Sequence, residues 1–227
     1  MPSTSDSQRQ IWLDRQEALI ASLKVQPLLL VVRPERTDLQ NADGESPLLH
    51  QLRTLHDAGL RHLELAWIDH PGWPRLVERL RRFCPEFSLG AASVVRLQGL
   101  EQASHLGLNY AMAPCWDPLL QRRARFLAMP LVPGVFSPSE VHQAIQHEAR
   151  LVKLFPAANL GCSYWSRLEA PLGGLPFVIA AGGLSLGDVT SWLASGHGAV
   201  ALGRRAIGPE GVDPALLQWL QHSTTGH

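Results

Sequence analysis

The segment FVIAAGGLSLGDVTSWLASGHGAVALG, residues 177–203, holds the pattern that decides the fold. It begins with a short apolar run at 177–180, passes through a glycine turn into a helical pattern at 186–194, and ends in a second apolar run at 199–202. Two short apolar runs joined by a helical pattern are typical of a β-α-β unit, in which the two strands are parallel and covered by the helix.

The same unit repeats along the whole chain and predicts an α/β fold. Eight apolar runs of strand length alternate with helical patterns, an amphipathic helix precedes them at 7–24, and a last helix closes the chain at 214–221. Eight such units favour a (β/α)₈ TIM barrel with an extra N-terminal helix, as one domain over residues 1–227 with the barrel at about 27–222. The strands are predicted at 27–33, 62–67, 87–92, 109–113, 128–132, 151–155, 177–180 and 199–202, and the intervening helices at 47–58, 73–83, 97–105, 118–125, 138–148, 164–170 and 186–194.

A doubly wound open sheet is the alternative architecture. That fold favours five or six strands and a glycine-rich nucleotide motif after the first strand. Here the first strand ends in Val32-Arg33-Pro34, without such a motif. The polar stretch at 38–46 is predicted to be a loop insertion.

Composition excludes several classes of partner. Basic and acidic residues number 20 each, so the net charge of zero argues against a nucleic acid or a membrane surface as the partner. No apolar run reaches the ~20 residues of a membrane span. The three cysteines form no CxxC pair, which argues against a disulfide framework or a zinc site and predicts a cytoplasmic protein.

Polar residues at the strand ends are the candidate site residues, because the active site of a barrel lies at the carboxyl ends of its strands. Lysine is rare in this chain: eighteen of the twenty basic residues are arginines, and only Lys24 and Lys153 are lysines. The strand-end residues are Arg33, Glu64, Ser93, Pro114, Pro133-Gly134, Lys153, Gly182-Gly183 and Gly203-Arg204-Arg205.

Lys153 and Glu64 both stand inside apolar strands. Burial lowers the pKa of an amine, and a neutral amine can form a Schiff base with a ketone, although a lysine at a strand end can also keep its charged head in water. A buried carboxylate costs energy unless it is paired or functional. Glu64 is therefore either a proton shuttle or the partner of Lys153 in a structural ion pair.

The glycines after strands seven and eight indicate a phosphate site. Gly182-Gly183 and Gly203 expose backbone N–H groups where barrels usually bind phosphate. Tight turns use glycine for other reasons as well, so the position of these glycines in the fold carries the argument.

The ordered set of motifs resembles the family of 2-keto-3-deoxy-6-phosphogluconate aldolases and 4-hydroxy-2-oxoglutarate aldolases, in register from Pro27 to Ile207. The Schiff-base signature of that family is similar to Val152-Lys153-Leu154-Phe155-Pro156-Ala157. The remaining motifs that carry the resemblance are Leu63-Glu64-Leu65, Gly90-Ala91-Ala92-Ser93-Val94, Ala113-Pro114, Pro133-Gly134-Val135 and Ala181-Gly182-Gly183-Leu184.

The resemblance implies a class I aldolase on a (β/α)₈ barrel, usually a homotrimer, that needs no metal or cofactor. Its substrate would be a 2-keto-3-deoxy sugar acid, foremost 2-keto-3-deoxy-6-phosphogluconate, cleaved to pyruvate and an aldehyde such as glyceraldehyde 3-phosphate. Lys153 would form the imine and Glu64 would move the protons. Ser93 would orient the substrate and Phe155 would keep the imine dry, with Pro114 among the substrate contacts.

The sequence departs from the family pattern near the distal end of the substrate. Some members bind the pyruvate carboxylate with an arginine four residues after the glutamate, where this chain has Ile68. Other members use an arginine at the end of strand one, so we assign the carboxylate clamp to Arg33, whose guanidinium suits bidentate binding. Ala181 replaces a threonine, and Arg204-Arg205 replaces a Gly-Ser pair and would either bind phosphate or fill the pocket.

Two other classes of function stay open from the sequence. One is a phosphate-binding synthase of another reaction class, based on Gly182-Gly183 and the basic turn after strand eight. The other is a divergent aldolase relative that binds a phosphate or keto acid without turnover, based on the altered distal pocket.

Overall fold

The computed structural model describes residues 4–40, 46–203, 206–208 and 211–224. Within these ranges the strands form one parallel sheet of nine and a short antiparallel pair. The strands are β1 Leu28–Val32, β2 His62–Ala66, β3 Ser88–Ala92, β4 Tyr110–Met112, β5 Leu131–Val132, β6 Gly134–Val135, β7 Leu151–Leu154, β8 Phe177–Ala181, β9 Ala199–Leu202, β10 Ile207–Gly208 and β11 Gly211–Val212.

Helices separate the strands of the large sheet along the chain. The α-helices are α1 Thr4–Val25, α2 Arg36–Gln40, α3 Pro47–Asp57, α4 Gly72–Phe83, α5 Leu97–His105, α6 Pro118–Phe126, α7 Pro138–Gln146, α8 Glu169–Leu172, α9 Val189–Ala194 and α10 Pro214–Thr224. Three short 3₁₀ helices lie at Ala157–Asn159, Trp165–Leu168 and Leu186–Asp188.

The large sheet curls into a barrel. Its nine strands fill eight positions, because β5 and β6 are two halves of one run broken at Pro133. On one side of this run, the Ala113 N–H donates to the Val132 carbonyl over 3.0 Å; on the other, the Lys153 N–H donates to the Pro133 carbonyl over 2.9 Å. Proline has no N–H to donate, so the ladder changes neighbour where it stands. The prediction of a (β/α)₈ barrel with an N-terminal helix is confirmed.

Some predicted element boundaries were wrong. The fifth strand was predicted to begin at Ala128, but that residue has a φ of +50° after α6, which is not strand geometry, and β5 begins at Leu131. Residues 36–40, of which 38–40 were assigned to a loop, form α2. The helix predicted at 164–170 is a 3₁₀ turn followed by α8, which ends where Gly173 takes a φ of +77°.

Side chains alternate between the two faces of the barrel wall. On β1, Leu28 and Leu30 belong to the core between wall and helices, whereas Leu29 belongs to the cluster inside the barrel. Three α1 residues, Leu19, Ile20 and Leu23, pack into that inner cluster and close the amino end of the barrel. Within the described residues, no helix has both the length and the apolar character needed to cross a membrane.

Candidate active site

A cavity of about 340 Å³ opens at the carboxyl ends of the barrel strands. Eight of the predicted site residues line it: Arg33, Ser93, Pro114, Lys153, Phe155, Gly182, Gly183 and Gly203. Arg204 and Arg205 lie outside the described residues. Sequence reasoning did not assign the other lining residues, which are Val31, Ala92, Ala181, Leu184 and Ala201. Period-two counting would have found three of them, because Val31, Ala181 and Ala201 stand two residues before predicted site residues.

Lys153 lies on β7 and points into the barrel. Only 7% of the residue is exposed, and its Nζ lies 5.2 Å from the centre of the Phe155 ring. Burial lowers the pKa of Lys153, opposed by the charge of Glu64 and assisted by that of Arg33. A lowered pKa increases the neutral fraction of the amine, which is the nucleophilic form.

Glu64 lies on β2, fully buried, and does not line the cavity. Neither of its carboxylate oxygens has a hydrogen-bond partner among the described residues. Burial raises the pKa of Glu64 to about 7, although the charge of Lys153 acts in the opposite direction. The two groups therefore interact through space rather than as a hydrogen-bonded ion pair, and Glu64 can gain or lose a proton near neutral pH.

Arg33 and Ser93 meet across the rim of the cavity. Arg33 Nη2 donates a hydrogen bond to Ser93 Oγ over 3.0 Å. Ser93 has a φ of +59°, a left-handed conformation that is uncommon for serine and that sets the direction of its side chain after β3. The contact orients the Arg33 guanidinium at the mouth, where its remaining N–H groups can bind a carboxylate.

The Gly182-Gly183 turn after β8 needs glycine for two reasons. Both residues have positive φ, +95° and +82°. A Cβ on Gly182 would lie 3.0 Å from the Phe155 ring, and one on Gly183 would lie 2.7 Å from Ala158 Cβ. The turn therefore lies close to Phe155, with its backbone rather than side chains on the cavity wall.

Known proteins of related sequence agree with this geometry. Residues 21–213 match the family model of KDPG and KHG aldolase. The chain is 33% identical over 155 residues to a 2-dehydro-3-deoxy-phosphogluconate aldolase of Pseudomonas aeruginosa, covering 67% of this chain and 69% of that protein. It is 24% identical over 148 residues to a 2-dehydro-3-deoxy-6-phosphogalactonate aldolase of Escherichia coli, covering 65% of this chain and 72% of that protein.

The fold has a solved counterpart. The structure of the 2-keto-3-deoxy-6-phosphogluconate aldolase of Zymomonas mobilis with 3-phosphoglycerate superposes with a TM-score of 0.74 at 21% identity, covering 92% of this chain and 96% of that chain. The family model spans most of the chain, and the barrel and its family motifs agree with it. The chain therefore belongs to the KDPG and KHG aldolase family and is an aldolase.

Proposed function

We propose that this aldolase cleaves a 2-keto-3-deoxy sugar acid, foremost 2-keto-3-deoxy-6-phosphogluconate, to pyruvate and glyceraldehyde 3-phosphate. The observation that carries the proposal is the buried Lys153 amine in the cavity wall, with the Glu64 carboxylate enclosed in the same barrel. One group supplies the nucleophile and the other a proton acceptor of matched pKa.

The reaction begins at Lys153. Its neutral amine adds to the C2 ketone, and loss of water gives a protonated imine. Glu64 takes the proton of the C4 hydroxyl through a water molecule, because its carboxylate does not line the cavity. The C3–C4 bond breaks at the same time, so the aldehyde leaves and the electron pair enters the imine as an enamine. Glu64 then returns a proton to C3, and hydrolysis of the imine releases pyruvate and restores Lys153. All the groups used are side chains of this chain and water.

Other cavity residues bind the two ends of the substrate. Arg33 binds the C1 carboxylate at the mouth, where Ser93 holds its guanidinium. The backbone N–H groups of the Gly182-Gly183 turn bind the phosphate at the distal end. Phe155 and Pro114 supply apolar cover beside the imine.

The proposal also specifies the configuration of the substrate at C4. The gluconate- and galactonate-derived substrates named for the two relatives differ in configuration at the hydroxyl-bearing C4. We choose the gluconate-derived compound because the phosphogluconate relative is the more similar of those two.

We also propose the homotrimer and the cytoplasmic location implied by the family resemblance; light scattering on purified protein tests the trimer.

Borohydride trapping tests the chemistry. The protein is incubated with pyruvate and borohydride, and its intact mass is measured. The native chain should gain one reduced pyruvate, Lys153→Arg should gain none, and Lys24→Arg is the matched control because Lys24 is the other lysine of the chain and is exposed. The absence of an adduct on native protein would favour a binding protein or a phosphate-binding synthase. If the adduct forms, turnover rates with the two epimers decide the substrate.

A further inference from the structure

Glu64, Gly90 and Tyr110 are register neighbours on the adjacent strands β2, β3 and β4. Gly90 carries no side chain, and a Cβ placed on it would lie 2.3 Å from Tyr110 Cε2. The Tyr110 ring therefore lies across β3, over the position where a side chain of Gly90 would stand. Two strand spacings separate Glu64 from Tyr110, about 10 Å of backbone, and the ring covers part of this gap.

The polar ends of these two side chains lack partners. Tyr110 and Glu64 are fully buried, and the Tyr110 hydroxyl and both Glu64 oxygens make no hydrogen bond among the described residues. Burial and the charge of Glu64 raise the pKa of Tyr110, so the hydroxyl keeps its proton and remains a donor. Buried polar groups without partners are rare in folded proteins, so these oxygens call for a partner that the protein atoms as placed do not supply, such as an ordered water molecule or each other.

We infer that Tyr110 is a positioning residue for proton transfer: its hydroxyl donates a hydrogen bond to the ionised Glu64 carboxylate, directly or through one ordered water molecule. The inference rests on the proposed function, in which Glu64 moves the protons. A donor on one side of the carboxylate fixes its orientation, so that a carboxylate oxygen faces the imine on Lys153. It also favours the ionised form, which is the form that accepts the C4 hydroxyl proton.

The other ionisable groups inside the barrel leave this role to Tyr110. Lys153 becomes an imine during the reaction. His62, two residues before Glu64 on β2, has its Nε2 3.4 Å from Ser22 Oγ on α1, and burial lowers its pKa to about 4. Its ring is therefore neutral at pH 7, and its Nε2 faces α1 at the closed end of the barrel, while its Nδ1 has no partner among the described residues. Arg33 stands at the exposed rim, tied to Ser93.

The test measures proton transfer separately from imine formation. Exchange of the pyruvate methyl protons for deuterium, followed by NMR across pH, reports enamine formation in native protein and in Tyr110→Phe. In Tyr110→Phe we expect trapping of pyruvate on Lys153 to stay within twofold of native protein and the exchange rate near pH 6 to fall about tenfold. The acidic limb of the pH profile of the exchange rate should move up by about one pH unit, because Glu64 loses a donor to its ionised form. Tyr164→Phe is the matched control, since Tyr164 donates to the Phe136 carbonyl outside the barrel and is the only other tyrosine.

A second variant should shift the acidic limb of the pH profile in the opposite direction. Fluorotyrosine incorporated into the Tyr164→Phe background labels Tyr110 alone and makes its hydroxyl a stronger donor, so the acidic limb should move to lower pH. Equal rates and equal limbs in native protein, Tyr110→Phe and the fluorinated protein would overturn the inference. Failure of native protein to trap or exchange pyruvate would instead sink the proposed aldolase chemistry, so the two failures are distinct.

Discussion

Glu64 and Lys153 face the same barrel interior from β2 and β7, yet only Lys153 lines the cavity. A molecule that enters from the mouth therefore meets the amine first, while the carboxylate stays enclosed by the barrel wall. This separation suits a reaction in which the covalent bond forms on one group and the protons move through the other.

Replacement of the enclosed carboxylate should separate these two roles. Glu64→Gln keeps the shape of the side chain but removes the proton acceptor, so kcat should fall by about 10²- to 10⁴-fold while borohydride still traps pyruvate on Lys153. Steady-state rates and intact mass measure the two properties. Glu101→Gln, at an exposed ion pair with Arg123, should retain native kcat. A Glu64→Gln enzyme with near-native turnover would remove Glu64 from the mechanism.

The buried carboxylate should also make stability depend on pH. Its pKa is raised from 4.5 to about 7, so between these values the folded chain holds a proton that the unfolded chain has released. The free energy of unfolding should therefore fall as pH rises through this window, by roughly 3 kcal/mol at most. Urea unfolding of native protein and Glu64→Gln across pH 4.5–7.5 measures the effect, and parallel curves for the two proteins would contradict it. The lowered pKa of Lys153 acts in the opposite direction, at higher pH.

The contact between Arg33 and Ser93 should affect substrate binding. Ser93→Ala removes the acceptor that orients the guanidinium, and loss of one hydrogen bond to a charged group is worth about 1.5 kcal/mol, so KM should rise roughly tenfold with kcat little changed. Arg33→Met should raise KM further, and in the double variant Ser93→Ala should add nothing. Additive effects of the two substitutions would show that Ser93 acts independently of Arg33.

The turn after β8 should matter for the phosphate and not for pyruvate. Gly183→Ala places a methyl group 2.7 Å from Ala158 Cβ at a φ of +82°, so the turn must move. We expect KM for the phosphorylated sugar acid to rise at least fivefold while proton exchange of pyruvate remains native. Gly173→Ala is the control, since it has a similar φ of +77° with nothing within 4 Å of the added Cβ. Equal effects on both substrates would place the phosphate elsewhere.

Close approach of Tyr110 to Gly90 should make that glycine intolerant of substitution. Gly90→Ala forces the Tyr110 ring out of its place inside the barrel, and such overpacking costs about 1–3 kcal/mol. Gly174→Ala, where nothing lies within 4 Å of the added Cβ, should change stability by less than about 0.5 kcal/mol. Denaturant unfolding at a pH near 5 compares the two, and equal stabilities would argue against the packed ring.

Much of the barrel follows from local pattern. Apolar runs bounded by turn residues mark the strands, and the period of two along β7 places Lys153 on the opposite face from Val152 and Leu154, which pack toward the helices. The order of the strands then follows from the rule that sequential β-α units pair side by side. The positions of the polar strand ends around one cavity follow from the same rule.

Other features depend on contacts between distant segments and leave no local signal. The break at Pro133 shows only when both neighbours of the run are known. The left-handed Ser93 and its contact with Arg33 join residues 60 positions apart. The sequence also gives no sign that Glu64 lies enclosed outside the cavity lining, because depth along a strand depends on the tilt of the whole barrel.

Helix α1, which closes the amino end of the barrel, affects how substrate enters and how products leave. With Leu19, Ile20 and Leu23 seated against the inner wall, the described part of the barrel is closed at its amino end and opens at its carboxyl end. Substrate and both products of the proposed cleavage pass through that mouth. The aldehyde departs first, because the pyruvate fragment is still bonded to Lys153, and the bound pyruvate blocks the next substrate molecule until the imine is hydrolysed.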